Sequence, residues 1–401
     1  MGMAERLSEA RELAGYSQEQ VAQALGVSRP MVTYWEGGSR SPNDRQLVGL
    51  SRLYGVDVAD LRSEVPLEGT QPAADMMFRG AGDEQLPPEG RRGLGEFIEF
   101  LDIYARLAEQ MDFDIHGMRQ SPFATSSAFD SADDARRKAE EVRAHLRLGL
   151  GPVGDVDRIC DLLGITVLRT QLGEDLRKTI SGAFFGHRKV GFSILVNLDM
   201  TPGRRRFTVA HELAHALFHS DKEPYVLSFA TKDPRERFAD TFAGEFLMPT
   251  EGVRRVMEEQ GFGPKVTDPA DVIHLQRFYK VSYATALVRL RQAKSLKQED
   301  FDRFKRVRPV IYARSLGYEP DPEEFEQGAD QWRLRRYPPR FLRLLRVAIQ
   351  KDKISVPSAA KLVGVPISEL ADFAAAAPVG TDEAPVSTRE LEEFEQTGVP
   401  A

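Results

Sequence analysis

Cysteine is almost missing from this chain of 401 residues, which carries only Cys160. One thiol excludes an internal disulfide and a thiolate zinc cluster, and it suits a reducing, cytoplasmic compartment. Long apolar runs are missing too. No stretch approaches the roughly 18–20 continuous apolar residues of a membrane helix, and the start, MGMAERLSEARELAG, lacks the basic-then-apolar layout of a signal peptide. No membrane partner is expected. With 41% hydrophobic residues, 29% charged residues and a net charge of −7, the composition is that of a soluble globular protein and excludes collagen and long disorder. At roughly 100–200 residues per domain, the length asks for two to four domains. Any metal site must use His and carboxylates. Histidine is itself scarce, yet three of the seven fall within nine positions, at His211, His215 and His219.

The pattern along the chain changes several times. Residues 1–62 read as short helices, over 7–14, from a Ser17 cap to Gly26, from a Ser28 cap through Trp35 to Gly37-Gly38, and around 44–53 and 58–61. Gly, Pro and acidic residues crowd residues 63–92, which reads as a linker. A helical stripe follows at 93–111 (Leu94, Phe97, Ile98, Leu101, Tyr104, Leu107), then a Ser-rich stretch and a charged helix at 132–148. From residue 152 the pattern alternates: helix at 156–163, strand-like ITVLRT, GAFFG and FSILVNL, and a strong helix at 204–219. Beyond Pro249 the reading returns to helices, including 278–294 and 341–350, and the Pro- and Glu-rich tail after Ala377 reads as mobile.

The central motif is TVAHELAHALFH, in which His211, Glu212 and His215 form HExxH. Residues four apart share a helix face, so both imidazoles can reach one zinc ion while Glu212 stands beside a water on it. Zinc lowers the pKa of such a water to about 7 and polarises a carbonyl, and the carboxylate takes the proton and delivers it to the leaving amine. A third ligand is needed. His219 is excluded because one helix cannot wrap positions i, i+4 and i+8 around an ion, so it reads as a helix-end histidine. The HExxHxxGxxH form fails because its last His would fall at Asp221. Glu236 in PRERFADTFAGEFLMP is the strongest candidate, although spacing alone leaves an exposed Glu open; Asp240, one turn later, is placed to hydrogen-bond a ligating histidine. The strand at 193–197 is read as an edge that could pair with an extended peptide. His187, Tyr225, Tyr279 and Tyr283 are possible oxyanion donors, each more simply structural.

The run RRRFTVAHELAHALFH followed by ERFADTFAGEFLMP resembles the ImmA/IrrE family of zinc metallopeptidases, over roughly residues 132–373. The resemblance implies Zn2+ held by His211, His215 and Glu236, with Glu212 as general base. It also implies a helix-turn-helix repressor as substrate, cut to release stress-response or mobile-element genes. The N-terminal segment YSQEQVAQALGVSRPMVTYWEGGSRSP has two capped helices joined at Gly26 and locked by Val21, Ala22, Leu25, Val27, Val32 and Trp35, which is helix-turn-helix patterning. It resembles the Cro/C1 (XRE) family over residues 7–61. That resemblance implies a double-stranded DNA operator and a homodimer, with Arg29, Pro30, Thr33 and Tyr34 facing the major groove, Gln18 on a phosphate, and Arg40 and Arg45 near the backbone. Residues 1–62 hold seven Arg, no Lys and eight acids, so nonspecific phosphate attraction should be weak. A later stretch, RLRRYPPRFLRLLR, places six arginines in residues 333–346, which reads as a solvated helix face or a surface for a nucleic acid or acidic partner. The segment KISVPSAAKLVGVPISEL looks like a degraded helix-turn-helix used for packing.

The expectation is a multidomain, mainly α chain with an α+β core. It comprises an all-α reader at 1–62, a linker and bridging helix at 63–131, a zincin-like metallopeptidase core at 132–262, a helical C-terminal extension at 263–377 and a tail at 378–401. Cleavage of a separate repressor, self-cleavage near residues 63–92, and recruitment to a promoter are all open. The rival classes are a non-enzymatic regulator that senses zinc, ligand or stress, and a toxin-like component of a two-gene system.

Overall fold

The computed structural model describes residues 2–13, 16–54, 58–62, 88–123, 131–173, 180–220, 225–229, 234–319 and 333–375. Most of the expected linker, the stretch at 124–130 and the expected mobile tail lie outside them.

The N-terminal reader consists of α1 (Met3–Leu13), α2 (Gln18–Leu25), α3 (Arg29–Glu36), α4 (Asp44–Tyr54) and α5 (Val58–Arg62) around a core of Leu7, Val21, Val32, Trp35, Leu47 and Leu50. The Ser17 hydroxyl accepts from Gln20 N while the Gln20 side chain accepts from Ser17 N, so two otherwise orphaned helix N–H groups are satisfied. Gly26, at φ 64°, ends α2 in the left-handed region that a residue with a Cβ resists. The Ser28 cap is a correction. Ser28 has the backbone geometry of an N-cap, but its side chain makes no capping bond. Pro30 in the first turn has no N–H to cap, which removes one of the donors the serine would serve.

The long helix α6 (Pro88–Gln110) begins earlier than the stripe suggested, and α2 and α4 of the reader pack against it. Next come α7 (Ala132–His145), α8 (Val156–Leu162) and β1 (Thr166–Thr170), then β2 (Ile180–His187) and β3 (Gly191–Asn197). The helix α9 (Pro202–Phe218), the strand β4 (Tyr225–Phe229) and α10 (Pro234–Leu247) complete the centre. The sheet order is β1-β3-β2-β4, with β1 and β3 parallel and the other pairs antiparallel. The strand β3 is therefore internal, not the edge expected at 193–197. It is buried at every position, with Phe192, Ile194, Leu195 and Val196 filling both sides, as in a strand covered on both faces.

Alternation along the strands separates two apolar layers. Val167, Phe184, Phe192, Ile194 and Val196 face the layer of α7 to α10, while Leu168, Ala183, Phe185 and Leu195 face the layer containing α6. That second layer also contains α16 (Pro339–Gln350), α17 (Val356–Val363) and α18 (Ile367–Ala375), so the chain's C-terminal helices cover the sheet's other side. The α17–α18 pair repeats the reader's local chemistry, with Ser355 as N-cap and Gly364 at φ 64°, but its apolar face is spent on α16.

Between the layers in sequence lie α11 (Thr250–Glu259), α12 (Pro269–Tyr279), α13 (Tyr283–Gln292), α14 (Gln298–Phe304) and α15 (Pro309–Ser315). The helix expected over 278–294 is two helices. Lys280 turns left-handed at φ 53° and the Ser282 hydroxyl accepts from Thr285 N to start α13. The Arg-rich stretch is largely consumed by internal ties. Arg340 pairs with Asp161 at 3.1 Å, Arg336 lies 3.6 Å from Glu96, and the Arg346 guanidinium stacks 4.4 Å from the Phe373 ring centroid. No helix among the described residues is long and apolar enough to cross a membrane.

Candidate metal centre and reading helix

Every residue of α9 from Thr208 to Phe218 is buried, because the helix lies between the sheet and α10. Phe218 packs on Phe238 and Phe242 at ring separations of 5.7 and 5.6 Å, which fixes α10 across the end of α9. That crossing brings Glu236, in the first turn of α10, to the face that carries His211 and His215. Glu236 Oε2 lies 3.1 Å from His211 Nε2, Glu236 Oε1 lies 3.3 Å from His215 Nε2, and the two Nε2 atoms are 3.2 Å apart. These contacts use both oxygens of Glu236, one to each imidazole, and their spacing is near the edge of about 3.3 Å expected around a tetrahedral ion with ligands at about 2.0–2.1 Å. His211, His215 and Glu236 can thus hold one metal ion, with each residue offering one ligand atom.

The supporting shell is also in place. Asp240, one turn after Glu236, lies 2.9 Å from His211 Nδ1, which leaves Nε2 of that ring for a metal. His219 does the corresponding job for the other ring, with its Nδ1 2.8 Å from His215 Nδ1. Reading His219 as a helix-end residue placed it correctly at the C-cap but missed this role, although its i+4 spacing from His215 was the available signal.

Burial by itself would lower the His211 imidazole, but the carboxylates of Asp240, Glu236 and Glu212 outweigh it and raise the pKa to about 10. Burial likewise favours the neutral form of Glu236, yet the two imidazoles hold it down at about 2. His215 is lowered by burial and by the neighbouring His211, and His219 is brought to about 3 by burial and by His215. Carboxylates surrounding two imidazoles in a buried space favour positive charge there.

Glu212 is fully buried beside this triangle. Its space depends on a residue that the sequence reading passed over. A Cβ at Gly182 of β2 would stand 3.0 Å from Glu212 Oε1, 2.6 Å from Thr208 Cγ2 and 2.8 Å from the Leu195 carbonyl. The glycine of GAFFG therefore leaves room for the carboxylate against the sheet.

Three of the suggested oxyanion donors are committed elsewhere. His187 Nε2 lies 3.2 Å from Asp102 and its Nδ1 accepts from Val190 N, while Tyr279 and Tyr283 donate to the Leu150 and Phe304 carbonyls. Tyr225 is in β4, and its side chain is not among those described.

A separate buried network anchors the far end of α10. Arg289 pairs with Glu245 and also donates to the Met248 carbonyl, and Glu245 accepts from Thr250 N at 2.6 Å.

In the reader, Arg29, Pro30, Thr33 and Tyr34 are all exposed on α3, as are Arg40 and Arg45 beyond it. The Arg40 guanidinium lies 5.7 Å from the centroid of the Tyr34 ring. Gln18 is held by its neighbours: its Nε2 donates to Glu36 at 2.9 Å and its Oε1 accepts from the Thr33 hydroxyl at 3.0 Å. Glu36 in turn accepts from Arg11 at 2.7 Å.

Fold and site together define a helix-turn-helix module joined to a domain with a His/His/Glu group that could hold a metal ion. Comparison with known families agrees: residues 7–61 match the helix-turn-helix family model, and residues 160–291 match the IrrE N-terminal-like domain, a metallopeptidase-type domain. The chain thus joins an XRE-type helix-turn-helix domain to an ImmA/IrrE-type domain, and the second match contains all the residues around the metal triangle. The HTH-type transcriptional regulator ImmR of Bacillus subtilis (strain 168) is 28% identical over 121 residues, which cover 25% of this chain and 95% of that regulator.

Proposed function

We propose that this protein is a DNA-binding transcriptional regulator with a zinc-dependent endopeptidase centre, and that its substrate is a helix-turn-helix repressor. The observation that carries the reading is the cluster of His211, His215 and Glu236, with contacts of 3.1–3.3 Å between the three side chains and a fully buried Glu212 alongside. A zinc ion held by His211, His215 and Glu236 would supply Lewis-acid activation of a peptide carbonyl and of water. Glu212 accepts the proton from the attacking water and passes it to the leaving amine. Asp240 and His219 hold the two imidazoles with their Nε2 atoms facing inward. A substrate strand docks on β4, which among the described residues pairs only with β2. The exposed face of α3 reads the operator, with Arg29, Thr33 and Tyr34 reaching base edges and Arg40 and Arg45 near phosphates. The near-neutral reader makes binding depend on sequence and on a homodimer more than on bulk charge.

The experiment compares wild type with Glu212→Gln, both zinc-loaded, on candidate repressors. We expect the variant to retain its zinc and lose about 100-fold or more in cleavage rate. Equal cleavage by the two proteins would overturn the enzymatic reading.

A further inference from the structure

On the opposite side of α9 from the metal triangle's partner helix, the start of α9 opens into a cleft of about 870 Å³. Its walls come from α8, from β1, from the first turns of α9, from Lys280 and from the segment that leads into α16. That segment is joined to the sheet edge, because Arg169 N donates to the Arg336 carbonyl at 3.0 Å. The volume is within the roughly 300–1,000 Å³ of small-molecule sites.

The lining is strongly cationic. Arg158, Arg169, Arg205, Arg206, Lys280 and Arg335 face it, against three aspartates. Each aspartate already has a task. Asp155 caps α8 by accepting from Asp157 N and Arg158 N, Asp157 pairs with Arg169, and Asp161 pairs with Arg340. Positive charge from Arg158 and Lys280, both exposed, is left facing the cleft. The N-terminus of α9 adds to it: this helix of 17 residues has Thr201 at its N-cap with no side-chain bond to its first amides. Thr201, Pro202 and Arg206 also line a neighbouring cavity of about 350 Å³, so the helix start is open on two sides. The lining also has an apolar part. Leu162 is 67% exposed, unusual for a leucine, and stands with Leu342, Pro338 and Pro339 in the cleft.

We propose that this cleft binds a nucleotide-sized organic phosphate, with the phosphates at the arginines and the α9 N-terminus and the apolar body against Leu162 and Leu342. An exposed apolar surface next to concentrated positive charge fits such a molecule better than a bare anion, which has no use for Leu162. A bound ligand would tie the α8–α9 core to the C-terminal segment. Val209, which lines the cleft, is one turn from Glu212, so occupancy would be felt at the metal centre.

Isothermal titration of the full-length chain with ATP, GTP and NADP, with inorganic pyrophosphate and adenosine as partial probes, tests this without any cleavage assay. We expect at least one of the three nucleotides to bind more tightly than either partial probe and to raise the thermal midpoint. The double variant Arg158→Glu, Arg335→Glu should weaken that binding at least about tenfold, since it reverses two charges in the cleft lining. Both positions are exposed, so the fold should survive; should it not, the single Gln variants carry the same comparison. Arg254→Glu, an exposed reversal on α11 outside the cleft, should leave binding unchanged. The proposal is overturned if none of the nucleotides binds, if pyrophosphate binds as tightly as they do, or if Arg254→Glu weakens binding as much as the double variant.

Discussion

The reader and the metal centre handle polar side chains in opposite ways. In the candidate metal centre His211, Glu212, His215 and Glu236 are all at or below 9% exposure, and His211, His215 and Glu236 hold one another at hydrogen-bonding distance. In the reader the corresponding residues stand on the solvent face of α3, and Tyr34 is 46% exposed. The difference follows from what each site waits for. A metal ion is small and demands fixed ligands, so the protein builds the cage in advance and accepts the cost of burying charge. A DNA groove is large and supplies its own shape, so the reading side chains need only be presented on a rigid helix. Gln18 is intermediate, because Thr33 and Glu36 already hold its amide and it must exchange those partners to serve a phosphate.

Substitutions can break this contrast, beginning where the effect is largest. Glu236→Ala should reduce bound zinc from one per chain toward none, beyond the roughly 10–100-fold that outer partners contribute, and metal analysis after dialysis would show it. The same experiment has a pH dependence. His211 titrates at about 10 in the metal-free chain, well above its ordinary 6.5, so a metal must displace its proton. Apparent zinc affinity should therefore rise with pH up to about 10, with proton release on binding visible by calorimetry in buffers of different ionisation enthalpy. Arg289→Ala should cost about 3–5 kcal/mol of stability, read by denaturant unfolding, because it leaves the Glu245 carboxylate buried without its cation. Asp240→Ala and His219→Ala should each weaken zinc binding by roughly 10–100-fold while the fold is kept, measured by chelator competition. The smallest effect should come from the reader: Arg29→Ala should cost about 1–3 kcal/mol on operator binding in a gel-shift titration and leave zinc content and cleavage untouched. A change in zinc content there would mean that the two regions are not separable.

The legible parts of the site were those on one helix. HExxH specifies two ligands and a base because α-helical periodicity alone puts positions 211 and 215 on one face. The reader was legible for a similar reason, since Ser17, Gln20 and Gly26 settle α2 through bonds made within a few residues. Errors came where the outcome depended on something distant. Ser28 matched a cap pattern, yet Pro30 altered the need for one. The strand at 193–197 looked like an edge because neighbours cannot be read from one strand, and β1 and β2 enclosed it. Lys280 broke a helix by a left-handed turn that its residue type does not announce.

The amino-acid sequence by itself determined the two modules, the HExxH pair, the likeness of Glu236 to a third ligand and the absence of thiolate ligands. All of these rest on residue chemistry and short spacing. Tertiary structure alone decided that Glu236 meets the histidines at 3.1–3.3 Å, that His219 and Asp240 hold their far nitrogens, and that Gly182 leaves the space Glu212 occupies. It also decided that the C-terminal helices cover the sheet and close a cationic cleft at the head of α9. The physical reason is that these arrangements depend on how α9, α10 and the sheet cross, and crossing is set by apolar packing summed over many residues far apart in the chain.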